Sequence, residues 1–161
     1  MSKVDVLFIK PFVDSVVKTL QVQCNVEAKV GKIFLKGQGP KAITDIAGVI
    51  ALASNAFTGT IAICFPEKTF LGVMEAMLGE KFATITPEVQ DGAGEIINIV
   101  FGQAKIVLNE KGYEIRKAIP TVIRGANIAI THLSPTPTVM IPYVTPCGDF
   151  TIEIAIENQE T

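Results

Sequence analysis

The sequence predicts an α/β (α+β) fold, with a mostly antiparallel six-stranded sheet and helices packed on one of its faces. Helical and strand-like stretches follow in the order helix, three strands, two helices, three strands. The longest helical stretch carries a wide apolar stripe that suits packing on a sheet. Hydrophobic residues make up 48% of the chain, and a mean hydropathy of +0.42 favours strands with a buried face.

The first half of the chain supplies one helix and three strands. Residues 4–20 repeat apolar side chains at helical spacing, and Pro11 inside that pattern predicts that the helix begins or kinks there. Residues 26–35 alternate and contain β-branched side chains, which predicts a strand. Residues 43–54 and 58–65 predict two further strands joined as a hairpin.

The second half begins with two helices and ends with three strands. A short helix opens at Pro66 and ends at Gly79, and a long helix follows, capped by Thr86 and stopped at Gly112. The predicted strands are residues 121–133, 138–145 and 150–157. In the last strand, polar side chains alternate with isoleucines and predict a solvated face formed by Thr151, Glu153 and Glu157.

Length and charge limit the functions that the chain can have. Its 161 residues repeat the order helix-βββ twice without a linker, so we expect a single domain over residues 1–161. A net charge of −2 with no run of basic residues argues against nucleic acid as a partner. No apolar run approaches the ~18 residues that span a bilayer, and the start does not read as a signal peptide. We therefore expect a cytoplasmic protein.

The residues typical of metal and nucleophilic sites are scattered. The cysteines at positions 24, 64 and 147 form no C-x2-C pair, so we expect small buried hydrophobic residues. His132 is the only histidine, and we expect a strand residue there rather than a zinc ligand. The sequence thus predicts no metal site of its own.

The long helix carries the pattern that bears on function. At about 100° per residue, Asp91, Glu95, Asn98 and Gly102 fall on one side. The opposite side is apolar, formed by Ala93, Ile96, Ile97, Val100, Ala104, Val107 and Leu108. A solvated helix face is one interpretation of the polar row. The short side chain of Asn98 and three glycines at positions 92, 94 and 102 argue against it. Each glycine costs roughly 1 kcal/mol in a helix, and such a cost indicates a close approach to the backbone.

The row Asp91-x3-Glu95-x2-Asn98-x3-Gly102 resembles the signature helix of the CheC/CheX/FliY phosphatases of bacterial chemotaxis. The resemblance covers nearly the whole chain. It extends to Phe65-Pro66-Glu67 at the start of the preceding helix, to Met77-Leu78-Gly79-Glu80 at its end, and to Lys10-Pro11-Phe12-Val13-Asp14-Ser15-Val16 in the first helix. The first helix lacks glutamate and any E-x2-N pair, which favours the CheX branch over CheC.

The resemblance implies a CheC-like fold and the hydrolysis of an aspartyl phosphate on a CheY-like receiver domain. Asn98 would position the attacking water, and Glu95 would reach a lysine of the receiver. Asp91 would pair with a basic rim residue, and Gly102 would let the partner approach the helix. The protein would need no cofactor of its own because the receiver supplies Mg²⁺. Relatives of the CheX branch also pair through strand edges, which implies a homodimer.

Two other functions stay open. The chain could be a binding module that holds a receiver domain or acts in the flagellar switch without turnover, or a structural domain with no receiver partner. A binder has no need for an amide at Asn98, and a structural domain leaves the glycines of the long helix unexplained.

Overall fold

The computed structural model describes residues 4–116, 119–133 and 136–158. Within these residues the helices are α1 (Val4–Cys24), α2 (Glu67–Leu78) and α3 (Pro87–Glu110). The strands are β1 (Lys29–Val30), β2 (Phe34–Leu35), β3 (Ile46–Ala53), β4 (Phe57–Phe65), β5 (Thr121–Arg124), β6 (Val139–Thr145) and β7 (Gly148–Asn158).

The strands form one sheet in the order β1-β6-β7-β4-β3-β5, and β2 also pairs with β6. Each pairing is antiparallel. The predicted hairpin is confirmed as β3 and β4, and β4 pairs along its length with β7, where Ile61 lies opposite Ile154. The predicted α+β class with a mostly antiparallel sheet is therefore confirmed.

The sheet has seven described strands, one more than predicted, because the stretch at 26–35 is divided into β1 and β2. The cause lies in the neighbouring strand. Gly31 donates its backbone N–H to the carbonyl of Pro142 at 2.7 Å, so that carbonyl points toward β1 and β2. A proline has no N–H to offer on the same side, and the ladder is interrupted opposite it.

The prediction of a strand over residues 121–133 is wrong beyond Arg124. The chain leaves the sheet at Gly125, and Asn127 takes a left-handed φ of 47°. Asp45 fixes this turn, because its Oδ1 accepts the N–H of Asn127 at 2.9 Å. Residues 125–133 then run as a coil across the back face of the sheet, so His132 is not a strand residue.

Helix α1 does not begin at Pro11, which lies inside it. The helix also extends beyond the predicted end at residue 20 to Cys24, and it stops where Asn25 takes a φ of 53°. Its buried side chains join those of α2 and α3 in the main core. There the ring of Phe8 packs edge-on against the ring of Phe57 in β4, with 4.4 Å between the ring centres. The helices therefore cover one face of the sheet, as predicted.

The opposite face of the sheet is also partly covered. A small cluster of Ala47, Ala62 and Cys64 packs there against Val49 and Ile130, and Ile130 comes from the coil of residues 125–133. The predicted solvated face of β7 is wrong at two of its three residues, and His132 of the same coil covers one of them, Glu153. Thr151 and Glu153 are both only 5% exposed, whereas Glu157 is exposed as predicted.

Candidate functional site

Helix α3 has the ends that the sequence predicts. Thr86 has an extended backbone, and its side-chain oxygen accepts the N–H of Val89 at 3.4 Å, while Pro87 takes the first helical position. At the other end, Gly112 adopts a φ of 90°, a conformation that most side chains disfavour. The helix is therefore continuous for 24 residues through the predicted site.

The predicted stripe on α3 is buried except at Val107, and the buried side also includes Val89 and Phe101, which were not predicted. The side chains buried there are Val89, Ala93, Ile96, Ile97, Val100, Phe101, Ala104 and Leu108. Val107 is 38% exposed, because it lines an open groove between α1 and α3. The apolar stripe of α3 therefore faces the sheet, and Val107 at the edge of the stripe lines the groove between α1 and α3.

The predicted site residues lie on the outer side of α3. Asp91, Glu95, Asn98 and Gly102 are all exposed, and each lies about one helical turn after the one before it. In the described part of the chain, the three side chains make no hydrogen bond or ion pair. Two carboxylates and an amide therefore point to solvent in a row about 10 Å long.

Two of the three glycines in α3 serve packing within the chain. A Cβ at Gly92 would collide with the Met74 sulfur of α2, and one at Gly94 would lie 3.1 Å from a methyl group of Val122 in β5. A Cβ at Gly102 would meet nothing within 4 Å. Only Gly102 therefore leaves the helix backbone open on the side of the polar row.

The sheet fixes the position of α3 through contacts that the sequence does not predict. Gly48 of β3 lies directly beneath Ala93, which is midway between Asp91 and Glu95 in the sequence. At the start of the helix, the guanidinium of Arg124 in β5 donates to the carbonyl of Ile85 at 2.5 Å. The sequence shows a basic residue, Arg124, at this position, but it does not show that Ile85, 39 positions away, is its partner.

A second polar cluster lies on the back face of the sheet, around Glu153 of β7. One oxygen of its carboxylate lies 3.1 Å from His132 Nε2 and 3.0 Å from Lys36 Nζ. The other imidazole nitrogen lies 2.5 Å from the hydroxyl of Thr60 in β4. Burial by itself raises the pKa of Glu153, but hydrogen bonds from His132 and Lys36 and the charge of Lys36 hold it below its usual value.

The Glu153 cluster attaches the coil of residues 125–133 to the sheet, because His132 comes from that coil and Lys36 also donates to the carbonyl of Ile130. It lies on the face opposite the helices. Nothing in the described residues links it to the polar row of α3.

Within the described residues, no three or more histidine, cysteine, aspartate or glutamate side chains are gathered as a metal site. None of the described helices is long and apolar enough to cross a membrane. Burial raises the pKa of the Cys24 thiol to about 11 and raises the pKa of the Cys64 thiol well above its usual value, so these thiols stay protonated at neutral pH.

Comparison with known proteins decides the family. A sequence model of the family described as chemotaxis phosphatase CheX matches residues 46–144, more than half of the chain. This chain belongs to the CheX family. The match includes all of α3, and the predicted resemblance of the chain to this family is confirmed. A search of curated proteins found no match.

Solved structures of CheX and CheC-like proteins have the same fold. A CheC-like superfamily protein from Shewanella sp. PV-4 is 39% identical with a TM-score of 0.88, over 94% of this chain and 98% of that chain. The chemotaxis protein CheX from Vibrio vulnificus is 33% identical with a TM-score of 0.87, over 93% and 99%. A structure of the CheX-CheY-BeF3-Mg²⁺ complex from Borrelia burgdorferi is 26% identical with a TM-score of 0.79, over 93% and 97%.

Proposed function

We propose that this CheX-family chain hydrolyses the aspartyl phosphate of a CheY-like receiver domain. One observation carries the proposal: Asn98 is exposed and has no partner in the described chain, one turn after an equally free Glu95. The membership of the CheX family supports it, and so does the complex of the Borrelia burgdorferi relative with CheY. Such a substrate would meet the protein in the cytoplasm.

The reaction needs little from the phosphatase. An aspartyl phosphate is a mixed anhydride, so its carboxylate is already a good leaving group. The oxygen of water attacks phosphorus in line, the bond between phosphorus and the acyl oxygen breaks, and aspartate and inorganic phosphate are released. The proton lost by the water leaves with the phosphate or the solvent, so a general base of shifted pKa is not required.

Asn98 would supply the positioning. Its side-chain carbonyl accepts a hydrogen bond from the attacking water, and its amide group donates to a neighbouring oxygen. These two bonds fix both the place and the orientation of the nucleophile, which is the main source of rate in phosphoryl transfer. Mg²⁺ held by the receiver would neutralise charge on the phosphoryl group, as the Mg²⁺ in the Borrelia burgdorferi complex suggests.

The rest of the row would hold the receiver in place. Glu95 is exposed one turn before Asn98 and would pair with the lysine of the receiver active site. Asp91, a further turn back, would pair with a basic residue at the rim. At Gly102 the helix surface is open, which would let the receiver backbone approach α3 closely.

The alternative is a module that binds a receiver or a flagellar-switch partner without turnover. Its support is that Glu95, Asp91 and Gly102 would serve binding equally well. The two functions are distinguished by following the decay of a phosphorylated receiver with the protein added at a tenth of the receiver concentration. A faster decay that continues through many turnovers supports the phosphatase, and binding without faster decay supports the alternative.

We also propose that the protein forms a homodimer through its sheet edges. Strand β5 forms one edge of the sheet, so the backbone groups on its outer side have no neighbouring strand among the described residues and are open to a partner. A large apolar side chain is exposed beside that edge: Ile119, two residues before β5, is 85% exposed. A second copy that covers it would remove apolar surface from water.

A further inference from the structure

We propose that the groove between α1 and α3 is a second docking subsite for the same receiver domain, and that it takes an acidic segment of that domain. This inference rests on the proposed function, because it adds a contact to the complex that places Asn98 at the phosphate. The groove encloses about 370 Å³. The residues that carry the inference are Lys10, Asp14, Lys18, Gln103, Val107 and Lys111.

The walls of the groove follow from helical periodicity. Lys10, Asp14 and Lys18 recur every fourth residue on α1, and the α3 side repeats the same spacing from Gln103 to Lys111. Residues with this spacing line one side of a helix, so each wall is a straight row about 12 Å long. The groove therefore has the length of a short extended segment of about three or four residues.

The orientation of the helices places one end of the groove beside the α3 row. The ring centre of Phe8, near the start of α1, lies 6.3 Å from that of Tyr113, just beyond the end of α3. The start of one helix is therefore beside the end of the other, and the two helices run in opposite directions. Lys18 is thus at the end of the groove where Gln103 lies. Gln103 directly follows Gly102, about 100° further around the helix.

A receiver domain seated on Asn98 would also cover the start of the groove. Small domains are roughly 30 Å across, whereas Asn98 and Gln103 are only five residues apart on one helix. The partner that reaches the groove first is therefore the one already bound at the polar row. A separate protein would compete with it for the same surface.

The charge of the groove selects an acidic segment. Lys10 is already paired with Asp14 at 3.0 Å. Lys18 and Lys111 form no ion pair with any described residue, and they stand at opposite ends of the groove. The chain as a whole is acidic, with a net charge of −2, so two free lysines here are a local positive feature. They would attract and orient a segment that carries carboxylates.

Gln103 adds a polar residue to the lining of the groove. Its Oε1 is buried and accepts no hydrogen bond from the described residues. A buried acceptor without a donor destabilises the free protein, and this cost disappears when the side chain turns into the groove and its oxygen accepts an N–H or O–H of a partner. Next to it, Val107 offers a half-exposed apolar contact, at 38% exposure. The segment that fits thus combines flanking carboxylates with one donor.

The test compares steady-state dephosphorylation by the wild-type chain and by the double variant K18Q/K111Q. We expect KM for the phosphorylated receiver to rise roughly three- to tenfold with kcat unchanged, because these charges act on association and not on the water. The salt dependence of KM should become weaker in the variant. The matched control K32Q/K41Q removes two exposed lysines outside the groove and should keep the wild-type KM. The variant K18R/K111R keeps the charge and should also behave as wild type.

Gln103→Met gives an independent readout. Methionine has a similar volume without the buried acceptor, so the melting temperature of the free protein should rise while KM for the receiver also rises. A merely structural Gln103 would change stability alone. An unchanged KM in K18Q/K111Q, an equal loss in the K32Q/K41Q control or a failure of the arginine variant overturns the second subsite. A wild-type chain that neither binds nor dephosphorylates any receiver instead overturns the proposed function, and the subsite falls with it.

Discussion

A Cβ added to Gly48 of β3 would lie 2.5 Å from the carbonyl oxygen of Ala93 in α3. Real side chains do not tolerate that separation, so the helix rests on the strand at a distance that only glycine allows. Ala93 lies on the turn that carries Asp91 and Glu95. Gly48 therefore sets how far this turn stands from the sheet.

Gly48→Ala should move or strain α3. We expect a loss of roughly 1–3 kcal/mol in the free energy of unfolding, as for other overpacked cores. Phosphatase activity should fall in parallel, since the row on α3 is displaced from its support. Chemical denaturation and receiver dephosphorylation measure the two effects. A variant with full stability and activity would show that the helix is not held at this point.

Gly102→Ala is the matched glycine substitution, because its Cβ has open space. Alanine in an exposed helical position should raise the free energy of unfolding by roughly 0.5–1 kcal/mol. Binding of a receiver should nevertheless weaken if the partner backbone approaches this residue. Denaturation and titration with receiver measure both quantities. Tighter or unchanged binding would remove Gly102 from the proposed interface.

The Glu153 cluster predicts a dependence of stability on pH. The folded protein holds the pKa of Glu153 below its usual value of 4.5, so the ionised form stabilises the fold above that pH. This contribution should be lost as the pH falls from about 4.5 through the lower folded pKa. Glu153→Gln should cost about 1–3 kcal/mol at neutral pH and should flatten the acid limb of the stability profile.

The matched control for that experiment is Glu157→Gln. Glu157 lies on the same strand and is exposed, so its neutral variant should keep the wild-type profile. Denaturation at a series of pH values between 3 and 7 would show the difference. If Glu153→Gln and wild type lose stability in parallel over this range, the cluster does not couple the fold to pH.

The homodimer proposal predicts the mass in solution. Light scattering should give twice the chain mass of 17.3 kDa. Ile119→Asp should shift the protein to a single chain, because a buried unpaired carboxylate opposes association. Leu78→Asp, at an apolar residue 55% exposed on α2, is the control and should stay dimeric. A wild-type mass of one chain at high concentration contradicts the proposal and leaves the proposed phosphatase activity unaffected.

Features with local causes could be predicted from the sequence. The cap at Thr86, the stop at Gly112 and the exposed position of the polar row all follow from spacing along one helix. The β3–β4 hairpin is local in the same sense. The roles of Glu95 and Asn98 stay predictions, because they concern a partner that the chain alone does not contain.

Features that depend on distant residues could not be predicted. Glu153 alternates with isoleucines as a solvated residue would, and it is buried by His132 and by Lys36, which is 117 positions away. The interruption between β1 and β2 comes from Pro142 on another strand. Gly92 and Gly94 suggested an external partner, whereas Met74 and Val122 account for them within the chain.

The central claim is that Asn98 positions the attacking water. Its most direct test measures both binding and dephosphorylation of a phosphorylated receiver with wild type, Asn98→Ala and Glu95→Ala. Both substitutions change an exposed side chain, so the free energy of unfolding of each variant should stay within about 0.5 kcal/mol of wild type. Glu110→Ala, exposed near the end of the same helix, is the control and should keep full activity.

We expect Asn98→Ala to lose the stimulated decay by about a hundredfold or more while its affinity for the receiver stays close to that of wild type. Glu95→Ala should lose both affinity and rate, because it removes the contact with the receiver lysine. If Asn98→Ala dephosphorylates the receiver as fast as wild type, Asn98 does not position the water and the account of the site is wrong.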